Sequence, residues 1–593
     1  MQNNKYKPRE STKNQSAPTS INGTGKSNSV LLWLLLPLGI TALCLSPMLK
    51  NSFTNWDDEM YVVNNLLLHG PDWKGIFTRP VSSNYHPLTI LSLAFNYRLS
   101  ELAPFSYFLV NLLFHLANTA LVFYLIWILS GKKTVVASLT ALVFGIHPMH
   151  VESVAWISER KDVLYAFFFL LSLIQYWKYL FEEKKSHYRY SYLFFVLSLL
   201  SKPAAIMLPF VLFLLDYWKG LEFNKKLVFN KIPFIVLSIV FAVITFRMQS
   251  GIAVSGFEIY PGWMRLFFAC YVVMIYFIRF IVPYPLCTFQ PFPSPDNLGS
   301  AVYLSPLFIL ALLVFLWYNR KNKLVVFGIL FFIVNLLLVM QLIPIGSTIV
   351  SERYTYVPYI GLAFLVAMLI EKLTSRYGKQ ARWIGLTVVS FVYGLVTFGR
   401  TNVWKDSGTL WTDVISHYPV APTPRNNRAH YLFKKAEAAT FDTEKISLYE
   451  QVIEDCNVAL ATAGAIHLNA DQESSADGNA FLKFDLYSLR AGTYERLNQP
   501  DKAIEDYTQC ISIYPKNEFA YINRGALLFE ENKYREAIDD FTKAISIKPA
   551  GGYYLNRSYC YFKSGDRVKA KEDLQKALQL GENVPEDYRN EFK

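Results

Sequence analysis

The run VLLWLLLPLGITALCLSPML (Val30–Leu49) is followed, six residues later, by NWDDEMYVVNN (Asn55–Asn65). An apolar run of that length crosses a bilayer as one helix. Three carboxylates, Asp57, Asp58 and Glu59, therefore emerge directly beside a membrane. Charges are costly there and mark function unless they are merely solvated in a loop. The rest of the chain has to decide between the two.

Outward from this point the chain has two unlike parts. Up to about residue 402 it is a series of apolar runs rich in Phe, Leu, Tyr and Trp, at roughly 104–129, 134–150, 162–181, 188–201, 203–218, 232–249, 263–283, 301–318, 323–342, 356–373 and 381–400. From about residue 404 it turns charged, Ala-rich and helix-prone. A chain of 593 residues is too long for one core. The pattern predicts an all-α protein, a polytopic helical membrane domain followed by a soluble helical one. The net charge of +12 is not a nucleic-acid signal, because many Lys and Arg lie in short loops between apolar runs, where they orient a membrane protein.

The expected boundaries follow. Residues 1–28 are polar and read as a disordered cytoplasmic tail. Val30–Leu49 has no small-residue cleavage site and reads as an uncleaved signal anchor, which leaves the Asn22 sequon cytoplasmic and silent. Residues 29–402 form the membrane domain, with a first extracytoplasmic loop at about 50–103. Residues 403–480 are a linker with a degenerate repeat, and 481–593 are repeats. If 263–283 lies in the outer interface, the basic loops Lys132-Lys133, Glu182–Arg189, Lys219–Lys231, Asn319–Lys323 and Lys372–Arg382 all fall on the cytoplasmic side, as the positive-inside rule requires. That arrangement has about eleven spans. It puts Asp57-Asp58, Glu352-Arg353 and the C-terminal domain outside.

The C-terminal part repeats. Tyr521, Gly525, Leu528, Ala537, Phe541, Ala544 and Pro549 recur 34 residues earlier as Tyr487, Ala491, Tyr494, Ala503, Tyr507, Cys510 and Pro515. Tyr554, Ser558, Tyr561, Ala570, Leu574 and Ala577 follow with one residue fewer. This is the period and pattern of tetratricopeptide repeats, an α-solenoid of helix pairs whose concave face binds proteins. A degenerate copy runs from about Arg425 to Leu460, and Ala461–Asn479 reads as a loop or insertion. The six cysteines show no CxxC or Cys/His spacing and read as small buried residues.

Polar residues expected on the outer face gather into one set: Asp57, Asp58 and Glu59; Tyr85-His86-Pro87; His147, His150 and Glu152; Glu159-Arg160-Lys161-Asp162; Lys202; and Glu352-Arg353. Each has a plain structural alternative. The His147/His150 spacing is a weak metal signal and reads as hydrogen-bonded structural histidines. Lys202 before Pro203 can simply mark a helix hairpin, and Glu352-Arg353 an internal ion pair. Convergence on one face favours chemistry. Cations hold a phosphate, and a carboxylate beside them can act as general base toward an incoming hydroxyl. A phosphate leaving group needs little protonation, so neither a second acid nor a metal is called for, and no cofactor is expected.

These motifs resemble the transmembrane and tetratricopeptide-repeat-containing protein O-mannosyltransferases and their bacterial relatives, within the GT-C class of glycosyltransferases. The resemblance rests on Asp57-Asp58 with Val63-Asn64-Asn65, Tyr85-His86-Pro87-Leu88-Thr89, and Asn111-Leu112-Leu113-Phe114-His115. It continues through Phe144–Glu152, Arg160–Leu164, Leu200-Ser201-Lys202, Glu352–Pro358 and Trp404. It implies a polyprenyl-phosphate sugar donor and transfer to Ser or Thr hydroxyls with inversion, by a multi-pass protein of a bacterial inner membrane with periplasmic repeats, or of an endoplasmic reticulum membrane with luminal ones. It makes Asp58 the first choice of base and Asp57 the second. Arg353, Lys202 and Arg160 become candidates for the lipid phosphate, and Glu59, His86, Asp162 and Glu352 for the lipid phosphate or sugar. His86 stands where animal members have Arg, and Pro203 where they have Glu, which leaves the sugar open between mannose and others. Protein or glycan acceptors, membrane lipids and proteins on the repeats are the expected partners. Two other readings remain: a non-catalytic membrane anchor displaying repeats, and a polymerase or ligase of lipid-linked glycans.

Overall fold

The computed structural model describes residues 24–70, 72–249, 260–293, 295, 298–342, 348–377, 379–463 and 476–592. The Asn22 sequon, most of the N-terminal tail and the core of the Ala461–Asn479 insertion lie outside them. The described residues are almost entirely helical. Their one strand pair is short, Gln290–Pro291 antiparallel to Thr348–Val350.

Five helices are long and apolar enough to cross a bilayer: Val30–Lys50, Pro104–Leu129, Ile157–Glu182, Gly262–Ile281 and Ser300–Tyr318. A sixth crossing is available from Thr134–Ile146 and Pro148–Ala155, which pass together but are bent by 55°. Ile232–Met248 and Lys323–Val339 are shorter apolar helices. This is the body of a multi-pass membrane protein. Gly262–Ile281, assigned to the interface from loop charges, is by length and composition as good a span as the other four. Its Arg279 is buried within the protein.

Two prolines shape the part that carries charge. The missing N–H of Pro148 ends the helix before it, and His147 is driven extended (φ −68°, ψ 124°). Lys202, before Pro203, is extended in the same way (φ −157°, ψ 132°), separating Lys185–Ser201 from a tight turn and the helix Leu208–Lys219. Both breaks free polar side chains from the regular face of a helix.

The C-terminal part is a series of antiparallel helix pairs. Pro422–Ala438 packs on Asp442–Thr462, Ala476–Arg496 on Pro500–Ile513, Glu518–Glu530 on Tyr534–Ile547, and Gly551–Lys563 on Arg567–Gln579. The recurring small positions Ala491, Ala503, Gly525, Ala537, Ala544, Ala570 and Ala577 are all buried between paired helices. Each of the last three pairs repeats one polar device, Arg490, Arg524 or Arg557 paired bidentately with Asp506, Asp540 or Asp573 sixteen residues on.

The array begins against the first loop. The Ser52 N–H donates to the Lys405 carbonyl at 2.8 Å, and the Asn51 amide to the Thr401 carbonyl at 3.2 Å. The acidic loop follows one crossing, so contact with the array requires an odd number of crossings before Lys405. That parity does not fix the count itself.

Candidate functional site

The site grows from residues 147–162. After the break at His147 the chain makes a turn and the short helix Val151–Ala155. It extends again at Trp156 (φ −106°, ψ 120°) and enters the helix Arg160–Glu182 through the turn Ile157–Glu159. This double step brings Glu152, Ser158, Glu159, Lys161 and Asp162 together beneath the Asn55–Asn65 loop.

Glu159 is the hub. Its carboxylate lies 3.1 Å from Lys161 Nζ, 3.4 Å from Lys202 Nζ and 3.3 Å from Arg353 Nε, and its side chain is 1% exposed. The three cations come from three separate segments and are between 11% and 17% exposed. Further carboxylates steer them from behind. Arg353 pairs with Glu152, and Lys202 with Asp162, whose other oxygen accepts from Ser153 Oγ at 3.0 Å. An ammonium has three donors and a guanidinium five, so these pairings leave Lys202 and Arg353 with N–H groups to offer a ligand. The Trp156 ring lies under both Arg353 (5.4 Å) and Lys161 (5.8 Å) and supports the cluster by cation–π contact. Burial opposes the charge on Arg353, but Glu152 beside it overrides that and keeps the guanidinium ionised.

The two candidate bases have opposite surroundings. Asp58 is 1% exposed, and both its oxygens are taken. One accepts from Thr54 N and Thr54 Oγ1, both at 3.0 Å, and the other from the Ser158 N–H at 2.9 Å and the Ser158 hydroxyl. It pins the loop to the turn before Glu159. Asp57 keeps 25% of its side-chain surface and faces Lys161 at 3.9 Å. Burial pushes its carboxyl above the ordinary 3.8, and Lys161 opposes the rise. Burial likewise pushes Asp58 up, against its bonds from Ser158 and Thr54. Asp57 is thus the carboxylate of this pair with access to solvent and to the cations.

The remaining expected residues divide. Arg160 is not in the cluster. Its guanidinium is fully buried among neutral acceptors, Asn111 Oδ1, Ser92 Oγ and Asn96 Oδ1 at 2.9 Å, and the Tyr107 carbonyl at 2.9 Å. Its neighbour Lys161 occupies the place expected for it. Glu352 is one step removed. It is buried against Arg400, while its backbone N–H donates to Glu152 at 3.0 Å. Glu59 opens a π-helical turn, Glu59–Val63, is exposed, and acts electrostatically on His430 of the array. His86 stacks on Tyr61 (5.2 Å, 10°), and His86 Nε2 is buried without a hydrogen-bond partner. Burial, aided by Lys161, pushes His86 down to about 3, so the imidazole is neutral. His147 and His150 lie within hydrogen-bond distance of backbone carbonyls, Phe280 at 3.2 Å and Phe144 at 2.8 Å.

Glu152, Glu159 and Lys161 are thus the cluster members with no role in the expected site set. The ERKD run at Glu159–Asp162 was the signal for two of them.

Comparison with known proteins agrees with both halves of this architecture. The tetratricopeptide-repeat family matches residues 484–517, 519–550 and 552–583. The human protein O-mannosyl-transferase TMTC3 is 24% identical over 94% of this chain and 65% of its own length. The Caenorhabditis elegans protein O-mannosyl-transferase F38B6.6 is 24% identical over 66% of this chain and 58% of its own. Human TMTC2 reaches 42% identity over a stretch covering 18% of this chain and 13% of its own. The chain spans about two thirds or less of these relatives. Among solved structures, a crystal structure of MamA protein aligns with 30% of this chain and 87% of its own at 17% identity and a TM-score of 0.23.

Proposed function

We propose that this relative of the transmembrane and tetratricopeptide-repeat protein O-mannosyl-transferases is itself a membrane glycosyltransferase. It takes a sugar from a polyprenyl-phosphate donor and passes it to Ser or Thr hydroxyls on the extracytoplasmic side, with mannose the sugar its relatives' names favour. The observation that carries the reading is the convergence of Lys161, Lys202 and Arg353 on Glu159, with Asp57 alongside. Cations from three separate segments, held by buried carboxylates and left partly open, suit a ligand phosphate.

In the proposed reaction Asp57 takes the proton of the acceptor hydroxyl. The hydroxyl oxygen bonds to the anomeric carbon from the face opposite the phosphate. The bond from that carbon to the phosphate oxygen breaks, and its electron pair leaves on the lipid phosphate. Charge grows on that phosphate as the bond breaks, so fixed cations stabilise the transition state more than the ground state. Glu159, Glu152 and Asp162 orient the cations, Glu352 acts through Glu152, and neutral His86 beside Tyr61 is assigned to the sugar. Glu59 lies toward the array, where acceptor or partner proteins bind.

The test uses purified full-length protein in lipid with labelled polyprenyl-phosphate mannose and a Ser/Thr-rich peptide. Transfer is expected, and Asp57→Asn should lower it at least about a hundredfold, the usual contribution of a general base. Undiminished transfer by Asp57→Asn would remove the base. Protein partners bound with no donor bound or consumed would establish the scaffold reading instead. Sugar passed to lipid-linked glycan and not to peptide would make it a polymerase or ligase.

A further inference from the structure

Asn55 lies two residues before Asp57, and the hydrogen bonds it makes with neighbouring segments all reach the start of the repeat array. Its backbone N–H donates to Ser407 Oγ at 2.8 Å. Its side-chain amide donates to the Asn427 carbonyl at 2.6 Å, and its amide oxygen accepts from the Trp411 indole N–H at 2.8 Å. Ser407 and Trp411 belong to the helix Ser407–His417, and Asn427 to the next helix, Pro422–Ala438. The residue between, Trp56, is clamped between rings. It stacks on Trp156 (4.4 Å, 21°) and tilts against Trp411 (5.1 Å, 57°). The backbone entering Asp57 is therefore set by the array on one side and by the tryptophan beneath the cations on the other.

A second tether starts from the same helix. Asp413 accepts from Arg400 Nη1 at 2.7 Å, and Arg400 Nη2 donates to Glu352 at 3.0 Å. The Glu352 N–H donates to Glu152, which holds Arg353. The helix Ser407–His417 thus reaches the carboxylate through Asn55 and the cations through Arg400. Mere anchorage of a domain does not need separate connections to both halves of a charged site. Setting the distance between those halves does.

Resting on the glycosyl transfer proposed above, we infer that the helix Ser407–His417 is part of the active site, with Asn55, Trp411 and Arg400 as positioning residues that hold Asp57 and Arg353 in register. A base displaced by about 1 Å forfeits about a hundredfold in rate, because the attack geometry is lost. The array's position on the membrane domain is then a determinant of turnover and not only of acceptor affinity.

The experiment measures kcat, donor KM and the pH profile of kcat for full-length Asn55→Ala, Trp411→Phe, Ser407→Ala and Ser407→Thr, with Asp57→Asn in parallel. Asn55→Ala should lower kcat about tenfold to a hundredfold at unchanged donor KM and move the acid limb of the profile. Trp411→Phe keeps an aromatic ring near Trp56 but loses the N–H together with one of the two fused rings of a buried side chain, and should fall between Asn55→Ala and the parent. Ser407→Thr keeps the hydroxyl and should restore what Ser407→Ala loses. If Asp57→Asn is inert while correctly folded Asn55→Ala and Trp411→Phe keep the parent kcat and profile, the inference is wrong and the transfer reading stands. If Asp57→Asn transfers normally, the underlying reading has failed instead. Should Asn55→Ala not fold, the loss of one acceptor in Ser407→Ala and its return in Ser407→Thr still decide.

Discussion

Changing Asp58 to asparagine keeps its shape but turns one acceptor oxygen into a donor. Each oxygen already receives two donors from Thr54 or Ser158, so the new amide must face an N–H and a hydroxyl. A buried donor left facing donors costs about 1–3 kcal/mol. Asp58→Asn should therefore lower the thermal midpoint measured in detergent while reducing kcat less than Asp57→Asn does. A midpoint equal to the parent's would show the loop is not pinned there. Asp57 supplies one acid limb of the pH dependence. Its carboxylate must be ionised to act as base, and burial raises it above 3.8 while Lys161 pulls it down. The acid limb of kcat should lie above pH 3.8, with activity rising as pH increases through it. Lys161→Met removes the lowering charge and should move that limb to higher pH. A limb that stays put would separate Lys161 from the base. His86, held down to about 3, stays neutral throughout this range and adds no limb of its own. The acidic pair and the ERKD run were legible as candidates for chemistry. Which member of each pair faces the cluster was not. Consecutive helical residues point about 100° apart, so Arg160 turns to Asn111 and Asn96 while Lys161 turns to Glu159. Such phase is set by where a helix starts, and here that is decided by the extended Trp156.

Helix contacts explain what sequence pattern can and cannot reveal about elements. The repeats were legible because their packing has a period, with small residues recurring where paired helices approach and aromatics between them. The Gly525 position, for example, would put a Cβ 3.2 Å from the Phe541 ring. The membrane helices have no such period. Ile232–Met248 and Lys323–Val339, legible in the sequence as apolar runs, form shorter helices than the five long ones, and the run around Pro148 is bent into two pieces. Close approach within the bundle is equally hidden. Lys323–Leu336 and Tyr359–Tyr377 meet where a Cβ on Gly361 would lie 2.5 Å from the Gly328 carbonyl oxygen and 2.9 Å from Phe331 Cβ. A backbone oxygen cannot swing aside as a side-chain tip can. Gly361→Ala should force these helices apart and cost about 1–3 kcal/mol by overpacking. The loss is read as a fall in the detergent thermal midpoint. Because Glu352–Thr355 immediately precedes the second helix, kcat should fall with it. An unchanged midpoint would mean the two backbones do not meet in the membrane.

At the scale of the whole molecule the acidic loop and the repeat array form one unit across about 350 residues of sequence. Neutral hydrogen bonds and a tryptophan stack hold it, so salt should not dissociate it as it would a surface ion pair. Two segments that touch must lie on one side of a bilayer, whatever the helices between them do. Glu59 and Lys533 are exposed in the loop and the array, and Phe223 is exposed in the basic loop after Leu208–Lys219. Cysteines placed singly at these positions, in sealed vesicles of known orientation, are read with a membrane-impermeant maleimide. Glu59→Cys and Lys533→Cys should react from the same face, and Phe223→Cys from the opposite, cytoplasmic one, as its flanking lysines require. Reaction of the first two from opposite faces would break the contact between loop and array. It would take with it both the odd number of crossings and the positioning role of Asn55. Reaction of all three from one face would leave that contact intact and remove only the loop-charge assignment of sides.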